Sequence, residues 1–190
     1  MRRMFEKVGA VREGHFELSS GRHSAVYVQC ALVLQHPDIA EKLGRALAEK
    51  FRGAEIDCVV SPALGGVLVG HELGRALGIR AIFVERDSSG HMALRRGFSI
   101  RPGEKVLVVE DVWTTGGSTR ETMSLVEQAG GRVVAAAALI DRSNGRLEWN
   151  VPAKALLEIN IPSYDSFDCP QCRKGEPITK PGSHFVRAGA

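Results

Sequence analysis

The sequence predicts an α/β fold: a parallel β-sheet flanked by helices, with a small cap built from the N- and C-terminal segments. Three observations point there. Short apolar runs alternate with stretches whose apolar positions recur at helical spacing, the pattern of a parallel sheet covered on both faces. The segments after three of these runs are rich in Gly, Ser, Thr or charge, and they fall at the carboxyl edge of the sheet, where such folds bind ligands. Residues 1–35 and 161–190 stand outside the alternation, and Pro162, Pro170, Pro177 and Pro181 make the tail irregular rather than helical.

Pro37 suits the first turn of a helix whose apolar positions are Ile39, Leu43, Ala46, Leu47 and Phe51. A strand is expected over residues 56–60, then Ser61-Pro62-Ala63-Leu64-Gly65-Gly66 leads into a helix through Val69, Leu73 and Leu77 that Gly78 ends. The second strand covers 80–85, the third 106–109, the fourth 133–140 and the fifth 155–159. Residues 87–98 have no clean period. No repeat or low-complexity stretch occurs, so 190 residues form a single domain with a core of about 36–160 and the cap from the two ends.

A hydrophobic fraction of 44% with 25% charged residues is ordinary for a globular protein. The net charge of +3 is spread along the chain and argues against nucleic acid as a partner. No apolar run suits a signal peptide or a membrane span, so a cytoplasmic protein without a membrane partner is expected. Cys30 and Cys58 sit in apolar surroundings that predict burial. Cys169 and Cys172 form one C-x-x-C, with no second pair nearby and only His184 downstream, which is a weak zinc signal.

The most informative run is Val-Leu-Val-Val-Glu-Asp-Val-Trp-Thr-Thr-Gly-Gly-Ser, residues 106–118. An apolar strand ends in Glu110 and Asp111, a loop of small and hydroxylated residues follows, and Ser118 with Glu121 has the spacing of a capping box opening a helix that Gly130-Gly131 stops. Unpaired N–H groups at a helix start, beside glycines that allow close approach, bind phosphate. Carboxylates at the strand end suit sugar hydroxyls or a metal ion instead. A ribose 5-phosphate fits both; an ordinary βα turn with solvated acids fits the residues equally well.

This run resembles the phosphoribosyl diphosphate (PRPP) signature of type I phosphoribosyltransferases, with their Rossmann-like core. The segment Phe16-Glu17-Leu18-Ser19-Ser20-Gly21-Arg22-His23-Ser24, followed by Tyr27, resembles the N-terminal segment of the orotate branch, and residues 86–97 correspond to its catalytic loop. The resemblance implies transfer of phosphoribosyl from PRPP to orotate in pyrimidine synthesis, with a purine phosphoribosyltransferase or a non-catalytic PRPP sensor as alternatives. It assigns PRPP to Ala63, Leu64, Gly65, Arg86, Glu110, Asp111, Val112, Trp113, Thr114, Thr115, Gly116, Gly117 and Ser118, with a cis peptide at Ala63-Leu64. It places orotate at Ser20, Thr114 and Arg142, and catalytic roles at Arg86, His91 and Asp111, with Arg95 and Arg96 as further loop candidates. Mg²⁺ is implied as cofactor, held mainly through PRPP with no protein side chain as direct ligand. A homodimer is implied as well, in which loop 86–97 serves the partner's site.

Overall fold

The computed structural model describes residues 2–18 and 20–181. In chain order its elements are α1 (Arg2–Lys7), β1 (Val11–Glu17), β2 (His23–Val28), α2 (Ala31–Leu34), α3 (Pro37–Glu49), β3 (Cys58–Pro62), α4 (Gly65–Leu77), β4 (Arg80–Arg86), β5 (Met92–Ala93), β6 (Lys105–Trp113), α5 (Gly117–Gln128), β7 (Arg132–Asp141), β8 (Ala153–Glu158), β9 (Ser163–Tyr164) and α6 (Pro170–Arg173). A six-stranded sheet has the order β5-β4-β3-β6-β7-β8, parallel throughout except for the short antiparallel β5. This is the expected α/β architecture.

Both faces of the sheet are covered, which explains why its strands read as unbroken apolar runs rather than alternating ones. Val59, Leu107 and Val109 point to one side, where they join Leu43 and Leu47 of α3 and Val69 and Leu73 of α4. Their chain neighbours Val60, Val106 and Val108 point to the other, against Val126 of α5. Cys30 and Cys58 are fully buried, as their surroundings predict. Among the described residues no helix is long and apolar enough to cross a membrane.

The helix starts and stops agree with the sequence at Pro37 and Gly78, the latter left-handed at φ 71°. Three expectations need correction. The strand expected over 106–109 runs on to Trp113, because the Glu110, Val112 and Trp113 backbones continue the ladder with Ala138, Ile140 and Asp141 of β7. The capping box does not form: α5 begins at Gly117, two residues before a Ser118 cap would start it, after left-handed Gly116, and Glu121 instead meets Arg86. The strand expected over 56–60 lies at Cys58–Pro62, so its apolar start is loop and its Ser-Pro end is ladder.

A second sheet, β1-β2-β9, joins the N-terminal hairpin to the tail. The tail then runs beside β1, where the Thr179 N–H donates to the His15 carbonyl and the Glu17 N–H to the Thr179 carbonyl. His184 lies outside the described residues.

Candidate active site

The end of β6 and the start of α4 are interlocked. Gly65 opens α4, and a Cβ at that position would lie 2.8 Å from both carboxylate oxygens of Asp111. Only a residue without a side chain lets the acid sit against this helix start. The peptide bond between Ala63 and Leu64, just before it, is cis, and Leu64 is 82% exposed at the tip of the turn. The expected PRPP loop and the acidic pair therefore share one place.

Glu110 is buried and Asp111 half-buried. Burial pushes the Glu110 carboxyl well above the usual carboxylate range, and the neighbouring Asp111 pushes it further. Burial raises Asp111 too, but a hydrogen bond with Glu110 and one from its own neighbour's amide oppose the rise; the Val112 N–H donates to Asp111 Oδ1 at 2.9 Å.

Beyond the strand, Glu110, Val112 and residues 113–119 line a polar cup of about 130 Å³. Its floor is the start of α5, where the N-cap Gly116 offers no side chain, the Gly117 N–H donates to Thr115 Oγ1 at 3.4 Å and no acid occupies the first turn. Those amides and the Thr114, Thr115 and Ser118 hydroxyls are a donor set for a phosphate. Gly116 turns the chain at φ 73°, and a Cβ there would meet the Trp149 ring at 2.9 Å. Trp149 in turn packs on Trp113, ring centroids 4.8 Å apart, and Trp113 donates its indole N–H to Thr119 Oγ1 at 3.1 Å. Trp113 thus shapes the wall of the cup and has its donor already used.

A second cleft of about 240 Å³ adjoins the cup, lined by Leu18, Ser20, Arg22, Arg142, Arg146 and Ser163 among others. Thr114 and Thr115 line both clefts, so the two meet at these hydroxyls. Arg142 is buried; one Nη donates to the Val26 carbonyl at 3.2 Å, and its Nε has no partner among the described residues. Burial lowers its pKa, partly offset by Tyr27 and Cys30, yet a guanidinium stays charged. An unpaired N–H of this kind costs about 1–3 kcal/mol until an acceptor arrives, and a planar carboxylate is the acceptor it fits best.

The expected loop residues do not gather at either cleft. Arg86 donates to Glu121 of α5 at 2.8 Å, with both side chains about half exposed. His91 Nδ1 lies 2.9 Å from the Ser89 hydroxyl, and its N–H donates to Asp87. Arg95 and Arg96 pair with Glu85. The segment is a polar hairpin closed by β5. Sequence reasoning missed Arg146, Leu147 and Trp149, which lie in an aperiodic stretch with no motif, and it gave no role to Arg22 although that residue stands within the segment 16–24; Arg22 is fixed by Ser163 and by Asp165 at 2.8 Å.

Comparison with known proteins agrees with this geometry. The family model described as "Phosphoribosyl transferase domain" matches residues 31–170. The orotate phosphoribosyltransferase of Pelotomaculum thermopropionicum is 56% identical over 183 residues, 96% of each chain. That of Caldicellulosiruptor saccharolyticus is 53% identical over 184 residues, 97% of this chain and 96% of its own. Among solved structures, orotate phosphoribosyltransferase from Aeropyrum pernix superposes with a TM-score of 0.71 at 28% identity, over 83% of this chain and 92% of its own. The chain belongs to the phosphoribosyl transferase domain family and, within it, to the orotate phosphoribosyltransferases.

Proposed function

We propose that the protein transfers the 5-phosphoribosyl group of PRPP to orotate, releasing pyrophosphate and forming orotidine 5′-monophosphate. The observation that carries this reading is the meeting of the two clefts at Thr114 and Thr115. One side offers a phosphate cup and the other a buried arginine with an N–H to spare, so a phosphorylated ribose and an anionic base fit end to end.

In this reading a ring nitrogen of orotate forms the new bond to the anomeric carbon as the bond from that carbon to pyrophosphate breaks. Positive charge develops on the ribose in between. Residues 114–118 hold the 5-phosphate, Glu110 and Asp111 take the ribose hydroxyls, and Arg142 and Ser20 orient the base. Residues 63–65 and Arg86 receive the pyrophosphate, with His91 on the same hairpin. Orotate's charge at neutral pH sits on its carboxylate, so the reacting ring nitrogen also gives up its proton, which the departing pyrophosphate can take without a strong base from the protein. The chain's contribution is alignment, electrostatic complementarity and exclusion of water.

Asp111 is packed against the start of α4 and accepts the Val112 N–H, and burial raises the pKa of both Glu110 and Asp111, which supports contact with hydroxyls rather than with a protein-held metal. Mg²⁺ would then be held mainly through PRPP with no protein side chain as direct ligand, and would supply charge neutralisation for the departing pyrophosphate. The separation of hairpin 86–97 from both clefts supports a homodimer in which this segment serves the partner's site. Cytoplasmic pyrimidine synthesis is the setting for this activity.

Charge reversal at Arg142 tests the base assignment. Arg142→Glu should cut kcat/KM for orotate by about 10²-fold or more, the cost of placing one carboxylate against another in a buried cleft. Wild-type turnover of adenine, guanine, hypoxanthine or xanthine without orotate turnover would move the protein to the purine branch. PRPP binding with no turnover of any base would make it a sensor.

A further inference from the structure

The hairpin β1–β2 and the tail bring four metal-ligating side chains to one point: His15, His23, Cys169 and Cys172. One ligand atom of each lies within 4.8 Å of all the others. His15 Nε2 is 3.1 Å from His23 Nδ1, 3.5 Å from Cys169 Sγ and 3.6 Å from Cys172 Sγ, while His23 Nδ1 is 3.1 Å from Cys172 Sγ.

A tetrahedral Zn²⁺ with ordinary bonds to two nitrogens and two sulfurs sets its ligands roughly 3.4 Å apart for N–N and roughly 3.6 Å for N–S. The two His15–cysteine distances of 3.5 and 3.6 Å match, while the His15–His23 and His23–Cys172 distances, both 3.1 Å, are a few tenths of an ångström shorter and would open as an ion enters. The imidazole of His15 is oriented for the same purpose. Its Nδ1 lies 2.9 Å from the Glu176 carbonyl, which can only accept, so the proton is on Nδ1 and the Nε2 lone pair faces the cluster. His15, His23 and Cys169 are buried, whereas Cys172 is at the surface.

The tail itself shows the need for such a fastening. Strand β9 pairs with β2 at only two residues. The 3-10 turn Ser166–Asp168 and α6 bury no residue of their own, and Phe167 is 84% exposed. Apolar burial therefore does little to hold this segment in place. Cys169 precedes α6 and Cys172 lies within it, so the turn presents both sulfurs to the two histidines of the hairpin.

We propose that His15, His23, Cys169 and Cys172 form a structural Zn²⁺ site that clamps the C-terminal segment to the N-terminal hairpin. Four protein ligands complete the tetrahedron and leave no open position for substrate, so the role is structural. Two thiols lose their protons to solvent as the ion binds. The clamp is linked to the base cleft through the same sheet: His23 follows Arg22, and Ser163, which pairs with Ser24 on β2, lines that cleft.

The test is metal analysis of the full-length, untagged protein purified without chelator. About one zinc per chain is expected, and after exchange Co²⁺ should give the visible bands of a tetrahedral ion with thiolate charge transfer, saturating at one equivalent. Cys172→Ser, at the exposed ligand, should lose the metal and the Co²⁺ spectrum and lower Tm. Should that variant fail to fold, the Co²⁺ titration of wild type still decides. A folded wild type holding less than about a tenth of a zinc per chain and giving no tetrahedral Co²⁺ spectrum would overturn the proposal. Iron at that stoichiometry, or a Cys169–Cys172 disulfide in the purified protein, would overturn it too.

Discussion

The Asp111 carboxylate fills the space that a side chain on Gly65 would need, with both oxygens 2.8 Å from where a Cβ would stand. The acid proposed to meet the ribose and the helix start proposed to meet the pyrophosphate are thus positioned by one contact. Gly65→Ala should displace one or the other, and misplacement of about 1 Å costs about 10²-fold in rate. The expected outcome is a loss of that order in kcat/KM for PRPP with a native circular dichroism spectrum. Unchanged kinetics would show that the contact is incidental.

Asp111→Asn and Thr115→Ala probe the two ends of the phosphoribosyl site separately. Each removes a hydrogen bond to a charged or strongly polar group, worth about 1.5–3 kcal/mol, so each should lower turnover at subsaturating PRPP by roughly ten- to hundredfold. Steady-state kinetics with PRPP as the varied substrate checks this. Wild-type rates in both variants would contradict the assignment of PRPP to this cup.

Arg86 is held by Glu121 at 2.8 Å and must leave it to reach a pyrophosphate. Exposed ion pairs of this kind contribute about 0–1 kcal/mol, so Glu121→Gln should leave the KM for PRPP unchanged or lower it by no more than about fivefold. Arg86→Ala should instead reduce kcat by about 10²-fold or more, the usual effect of removing a charge that meets a developing anion. Equal effects of the two variants would mean that the pair matters only as a pair.

Glu104 provides a stability prediction independent of the reaction. Burial alone would raise its pKa, but Arg80 donates to both carboxylate oxygens at 2.9 and 2.6 Å and the Arg101 N–H adds a third bond, which together bring it down from 4.5 to about 2. A carboxyl with a depressed folded-state pKa stabilises the fold above its unfolded value of 4.5 and loses that contribution as pH falls toward about 2. Glu104→Gln should therefore cost about 2 kcal/mol near neutrality. The gap to wild type should narrow steadily in acid, as measured by urea unfolding at several pH values. A gap that stays constant with pH would contradict the charge pairing.

The sheet and the glycine- and hydroxyl-rich loop after β6 were legible because each rests on local pattern: apolar runs between helical stretches, and small residues after a strand. Sequence reading misjudged the end of β6 because Glu110 and Asp111 look like the close of an apolar run, whereas Glu110 and Val112 on either side of Asp111 stay in the ladder with Ala138 and Ile140. It misjudged the start of α5 because a left-handed Gly116, packed against Trp149, sets that boundary in place of Ser118. Arg142 was legible only through family resemblance; its burial and spare N–H follow from tertiary packing. The C-x-x-C looked solitary because its histidine partners are about 150 residues upstream, and the pairing of β2 with β9 and of the tail with β1 brings them together.

The central claim is that one cup takes PRPP and the adjoining cleft takes orotate. Its most direct test follows the ultraviolet absorbance of orotate after mixing purified protein with orotate, PRPP and Mg²⁺. The account predicts a fall that requires all three and is reversed by excess pyrophosphate. An unchanged spectrum with protein that still binds PRPP would contradict it.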